Sequence, residues 1–189
     1  MIFELKLLIT DLFFAFSIFT ILFLILSIFI KNDFLRKLDQ ETTYFISFIG
    51  LVYLLLLFIG KLIEFNTAND GNRLFVEEEL FGKYWYIFWF EPLIWVLMTQ
   101  LLWIKKVRKN VFIRLFFSAL FIVTIEHIID IAVFFTNDYL PSSWRIKSST
   151  FIYPSNLFLE ILVKVVLLLF FVGIYFLINR LIKKSKAAV

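Results

Sequence analysis

Five apolar runs, each long enough to cross a bilayer, constrain this chain more than any other feature of its sequence. They lie near residues 7–30, 43–65, 85–104, 111–136 and 157–180, bounded by charged stretches or by Pro, Gly, Asn and Ser. A helix rises about 1.5 Å per residue, so roughly 20 mainly apolar residues cross a hydrocarbon core about 30 Å thick. The sequence therefore predicts an all-α integral membrane protein in which residues 1–189 form a single domain of about five transmembrane helices. Composition agrees: 62% of residues are hydrophobic and mean hydropathy is +0.93, which leaves too little polar surface to clothe a soluble core. The first run is too long for a secretory signal and lacks a small-residue cleavage site, so it is expected to stay in the mature protein.

Charge sets the expected orientation. Lys31, Arg36 and Lys37 follow the first run, Lys105, Lys106, Arg108 and Lys109 follow the third, and Arg180, Lys183, Lys184 and Lys186 follow the fifth. By the positive-inside rule these segments face the cytoplasm, which puts the N-terminus outside and the C-terminus inside. The second connection, with Asp70, Glu77, Glu78 and Glu79 beside Arg73 and Lys83, then faces outward, as does the fourth, with Arg145 and Lys147. Trp85, Tyr86, Trp89, Trp103, Tyr139, Trp144 and Tyr153 fall near the interfaces, where amphipathic rings concentrate. Arg114 is expected to snorkel to the inner face. The net charge of +4 reflects this topology and not a basic face for nucleic acid. Multi-pass insertion in a membrane, with the lipid bilayer as the main partner, is the expected location.

The chain has no cysteine, so thioether-linked haem, iron–sulfur clusters and Cys-bound zinc are excluded within it. No Ser-His-Asp order or zinc motif is visible, and a lone His near acids has no second imidazole to complete a metal site. Neither a catalytic residue nor a metal ligand is assigned.

Apart from Arg114 and Arg180 at the expected inner ends, the runs hold nine charged or imidazole side chains: Asp11, Lys61, Glu64, Glu91, Glu126, His127, Asp130, Glu160 and Lys164. A charge at bilayer depth costs several kcal/mol and normally faces a partner or a water-filled cavity. With the orientation above, all nine lie between the outer interface and the midplane, while the inner half is expected to be almost purely apolar. Glu126, ten residues before Thr136, is deepest at about 15 Å. Glu126 and Asp130 are four apart with His127 between them, so one helical stripe presents two carboxylates and an imidazole. Carboxylates at this depth raise one another's pKa, which makes the stripe a proton-titratable candidate. Pro92 follows Glu91 and frees a backbone carbonyl one turn earlier, as happens where a membrane helix lines a cavity. Simpler roles compete for the others: Glu160 with Lys164, and Lys61 with Glu64, have the spacing of local ion pairs, and Asp11 is near enough to the interface to be solvated.

Residues 80–156 carry Tyr84-Trp85-Tyr86 with Trp89, the Glu91-Pro92 step, and Thr99-Gln100-Leu101-Leu102-Trp103 running into Lys105-Lys106-Val107-Arg108. They also carry the acidic Glu126 and the loop Asp138-Tyr139-Leu140-Pro141-Ser142-Ser143-Trp144. This pattern resembles the polysulphide-reductase NrfD-like family, in particular the quinol-interacting membrane subunits of bacterial alternative complex III. The resemblance covers roughly residues 74–179, the C-terminal helices of a family member at least twice as long. It implies an inner-membrane helical bundle that abuts other membrane subunits and an extracytoplasmic redox subunit. It also implies interaction with menaquinol or ubiquinol near the outer face, with Glu91, Glu126, His127 and Asp130 as quinol or proton-path candidates and Asp11, Lys61, Glu64, Glu160 and Lys164 as a secondary polar layer. The chain departs from the family at His127, where the family has Arg, and at Asn137, where it has a basic residue.

Three functions follow as expectations: a respiratory-complex membrane subunit engaged in quinol interaction or proton transfer, a non-redox packing or assembly subunit, and a proton- or ion-coupled transport component. The absence of repeated Gly-x-x-x-Gly leaves no dimerisation motif in view. The connections at 66–83 and 137–156 are the expected partner surfaces.

Overall fold

The computed structural model describes residues 2–83, 85–122 and 156–186, and every described element is a helix. In chain order these are α1 (Ile2–Phe29), α2 (Asp33–Thr67), α3 (Asp70–Phe81), α4 (Trp85–Leu101), α5 (Lys105–Lys109), α6 (Val111–Ile122) and α7 (Leu157–Lys186). Three stretches are long and apolar enough to cross a membrane: Glu4–Phe29, Asp33–Thr67 and Leu157–Ile182. Two further apolar helical stretches, Pro92–Leu101 and Val111–Ile122, are shorter.

Asparagine marks where several helices begin. The first amides of a helix have no carbonyl partner within it, and a side-chain oxygen placed just before the helix supplies one. Asn32 Oδ1 accepts from the amide of Phe34 at 2.8 Å, Asn110 Oδ1 from Phe112 at 3.0 Å and Ile113 at 3.2 Å, and Asn156 Oδ1 from Phe158 at 2.9 Å. The Asn32 cap has a consequence that the apolar pattern does not show. Residues 33–42, expected in a connection, are the first turns of α2. At 35 residues, that helix is about 52 Å long, well beyond a hydrocarbon core of about 30 Å.

The segment after α2, expected as an outer loop, is largely the helix α3. Val76 and Leu80, four apart, are buried on one face against α4 and α2. Trp89 Nε1 donates to the carbonyl of Leu80 at 3.3 Å, and the Arg73 guanidinium lies 4.5 Å from the centre of the Phe65 ring.

Helix α1 packs against α2, α6 and α7, and α2 packs in addition against α4 and α7. Side-chain contacts fix the directions. Phe13 meets Tyr53 while Gly60 approaches Ile2, so α2 runs antiparallel to α1. Tyr44 meets Trp103 and Phe58 meets Trp89, so α4 runs back again. Arg114 meets Phe23 and Phe121 meets Phe16, which sets α6 antiparallel to α1, and Asp11 meets Lys164 near the starts of α1 and α7. The bundle thus has one end where α1, α4 and α7 begin and an opposite end where α2 and α6 begin.

At the centre, Phe13 is fully buried. Its ring is edge-on to Tyr53 and Trp95, both at 5.6 Å, and stacked on Phe121 at 5.2 Å. Four helices meet in these four rings, and each such ring pair adds about 0.5–1.5 kcal/mol beyond area burial. In lipid, helix association rests on this close packing and on polar contacts, because the solvent is as apolar as the side chains.

Candidate functional site

Near the end where α1 begins, Lys164 of α7 holds two carboxylates. Its Nζ lies 2.9 Å from Asp11 Oδ1 on α1 and 2.6 Å from Glu160 Oε1 one turn earlier on α7. The Lys164 and Asp11 side chains are 12% and 15% exposed, and the ammonium also lies 5.3 Å from the centre of the Phe14 ring. On α2, Lys61 Nζ is 2.9 Å from Glu64 Oε2. Because Gly60 approaches Ile2 and Phe13 meets Tyr53, Lys61 lies beside the first residues of α1, more than about 10 Å nearer that end than Asp11. Sequence spacing anticipates the Glu160–Lys164 and Lys61–Glu64 pairs. It does not anticipate Asp11, which reaches across to a second helix.

The remaining candidates stand differently. Glu91 belongs to α4, which continues through Pro92. Glu126, His127 and Asp130 lie outside the described residues, as does the expected partner surface at 137–155. Among the described residues no group of three His, Cys, Asp or Glu side chains is placed to hold a metal ion.

The opposite end holds a pair that the sequence reading misses. Arg114 of α6 grips Asp39 of α2 with both terminal nitrogens: Nη1 donates to Oδ2 at 2.9 Å and Nη2 to Oδ1 at 2.5 Å. The two side chains are 5% and 11% exposed. The guanidinium also faces the Phe23 ring of α1 at 5.5 Å. Arg114 therefore does not snorkel, and the expectation that this half of the bundle is almost purely apolar does not hold. The fork geometry of guanidinium and carboxylate supplies two charge-assisted bonds, which offset the desolvation that each charge alone cannot bear.

A seam of small polar residues continues from this pair. Ser17, Thr20, Thr42, Thr43, Ser47, Thr99 and Ser118 are all buried. Most satisfy their hydroxyls locally: Ser17 donates to the carbonyl of Phe13, Thr42 to Leu38, Thr43 to Asp39, Ser47 to Thr43 and Thr99 to Val96. Gln100 Nε2 crosses between helices, donating to the carbonyl of Ser47 at 3.0 Å. One signal in the sequence points here: Asp39, Thr43, Ser47 and Gly50 recur at helical spacing on α2, and Arg114 and Ser118 do so on α6.

No protein-family model, characterised protein or solved structure matches this chain. What the arrangement does must be argued from its own chemistry. Two charge clusters join helices, Asp11–Lys164–Glu160 toward one end and Asp39–Arg114 toward the other. The aromatic cluster of Phe13, Tyr53, Trp95 and Phe121 lies between them.

Proposed function

We propose that this chain is a five-span subunit of a bacterial inner-membrane respiratory complex, N-terminus outside and C-terminus inside, that takes part in proton transfer near the outer face. The observation that carries the reading is the cluster in which Lys164 joins Asp11 and Glu160 across α1 and α7, with the Lys61–Glu64 pair nearer the same end of the bundle. Ionisable groups set within apolar helices are costly and characteristic of proton pathways. The stripe of Glu126, His127 and Asp130 and the residue Glu91 belong to the same outer half by sequence. The resemblance of residues 74–179 to NrfD-like subunits supplies the redox setting, with other membrane subunits and an extracytoplasmic redox subunit as partners.

Phe13 packs against Tyr53, Trp95 and Phe121 at the bundle centre, so in this reading quinol contact belongs near the outer face, by Glu91, Glu126, His127 and Asp130. No step is therefore assigned to menaquinol within the aromatic cluster. In this reading a partner oxidises the quinol, and the carboxylates of this chain accept and pass protons released near the outer face. Gentle purification from native membranes tests it. Co-purifying iron–sulfur or cytochrome subunits with associated quinone support the reading, and a lone or self-associated chain rejects it.

A second reading, a non-redox packing subunit, is favoured by a separate observation. The charges in the two clusters and in the Lys61–Glu64 pair are engaged with one another, as local structural ion pairs are. In that case the large partner still co-purifies, and its turnover is indifferent to substitutions in the stripe.

A further inference from the structure

Two buried hydroxyls break the rule that the others in the seam follow. Thr20 of α1 and Ser118 of α6 are 1% and 0% exposed, and neither side-chain oxygen has a hydrogen-bond partner. The Nε of Arg114 is buried without one as well, although Asp39 occupies both Nη atoms.

Register brings the three together. Phe16 and Phe23 flank Thr20 on one face of α1, four residues before it and three after, while Arg114 and Phe121 flank Ser118 on α6, four before and three after. Phe16 contacts Phe121, with ring centres 6.3 Å apart, and Phe23 contacts Arg114 at 5.5 Å. Thr20 and Ser118 therefore face one another across the α1–α6 contact, one turn from the guanidinium. Buried polar atoms are almost always bonded, and where protein groups do not suffice an internal water commonly serves several of them together.

We propose that Thr20, Arg114 and Ser118 form a binding site for a buried water between α1 and α6. The water accepts a hydrogen bond from Arg114 Nε–H and one from a hydroxyl, and donates to the oxygen of the other hydroxyl. Three bonds are typical of an internal water. Charge selects a neutral occupant: Asp39 and Arg114 already neutralise one another, so an added ion of either sign would be buried among Phe16, Phe23 and Phe121 without a counter-charge. The site carries the polar network of Asp39 and Arg114 about 6 Å further along α6, up to the Phe16–Phe121 contact. It stands independently of the respiratory reading.

The test combines a high-resolution map of the full chain crystallised in a lipid mesophase with a double-mutant cycle of Thr20→Val and Ser118→Ala, read as melting temperature in one detergent. The expected map shows a discrete peak within hydrogen-bond distance of Thr20 Oγ1, Ser118 Oγ and Arg114 Nε. The expected cycle is coupled, the double variant losing less than the sum of the two single losses, because the first substitution already disrupts the shared water. Hydroxyls bonded to each other or to their own helix carbonyls with no peak between them overturn the proposal. So do strictly additive losses.

Discussion

Gly50 of α2 and Thr99 of α4 meet so closely that a Cβ added at position 50 would collide with Thr99 Oγ1 and fall 2.6 Å from Thr99 Cβ. Small residues let membrane helices approach to this degree, and the approach brings Gln100 within reach of the Ser47 carbonyl. Gly50→Ala is expected to force α2 and α4 apart and to cost about 1–3 kcal/mol, the usual penalty of overpacking. Thr99→Ser does not relieve it, since the Cβ clash remains, whereas Thr99→Gly does in part. Thermal unfolding of the four proteins in one detergent checks this, and an undiminished melting temperature for Gly50→Ala contradicts the close contact.

The Asp39–Arg114 pair makes an asymmetric prediction. Removing one partner leaves the other charge buried, so Asp39→Leu or Arg114→Met is expected to destabilise by about 3–5 kcal/mol. The double replacement substitutes packing for the pair and is expected to recover most of the loss, because an apolar substitute of similar volume is often neutral. A double variant as unstable as the worse single one shows that the pair does more than neutralise itself. Its further contacts with Phe23 then become the place to look.

Lys164 sits between two carboxylates, so its removal places Asp11 and Glu160 in mutual repulsion without the cation that joins them. Lys164→Met is expected to lower the melting temperature and loosen α7 from α1. Lys164→Arg keeps the charge and is expected to be milder. Asp11→Asn is expected to cost more than Glu160→Gln, because the Asp11 side chain is 15% exposed and that of Glu160 is 36% exposed, and solvent screens the second pair more strongly. Cross-linking yield between cysteines placed on α1 and α7 reads the loosening directly in a chain that has no native cysteine.

What the sequence shows, and what it hides, follows from what lipid selects. The runs that become α1, α2 and α7 are legible because length and hydropathy decide whether a helix can cross. Residues 33–42 are not, since averaged hydropathy falls across Arg36 to Glu41 although the Asn32 cap has already started the helix. The same averaging hides Asp39, whose stripe with Thr43, Ser47 and Gly50 turns toward protein and not toward water. In α3, Gly71, Asn72 and three successive glutamates read as a loop, while the pair that holds the helix in place is Val76 and Leu80. Glu160 with Lys164 is visible as a local spacing. Asp11 with Lys164 is not, because it depends on how two helices distant in sequence are rotated against each other.

The proton-transfer reading makes its sharpest prediction at Glu126 and His127. Glu126→Gln preserves size and hydrogen bonding but removes the titrating proton, and His127→Ala removes the only imidazole in the chain. Positioned acid–base groups typically contribute 10²- to 10⁴-fold to a rate, so quinol oxidation by the intact complex is expected to fall on the order of a hundredfold in either variant. Assembly, read as co-purification of the redox subunits, is expected to survive, since neither change adds bulk or an unpaired charge. Lys164→Met is the necessary contrast, because it perturbs the Asp11–Lys164–Glu160 cluster through α1–α7 packing and is expected to lower yield and melting temperature along with turnover. Full turnover in both Glu126→Gln and His127→Ala, with the partners still bound, removes proton transfer from the role of this chain and leaves packing within a larger membrane complex.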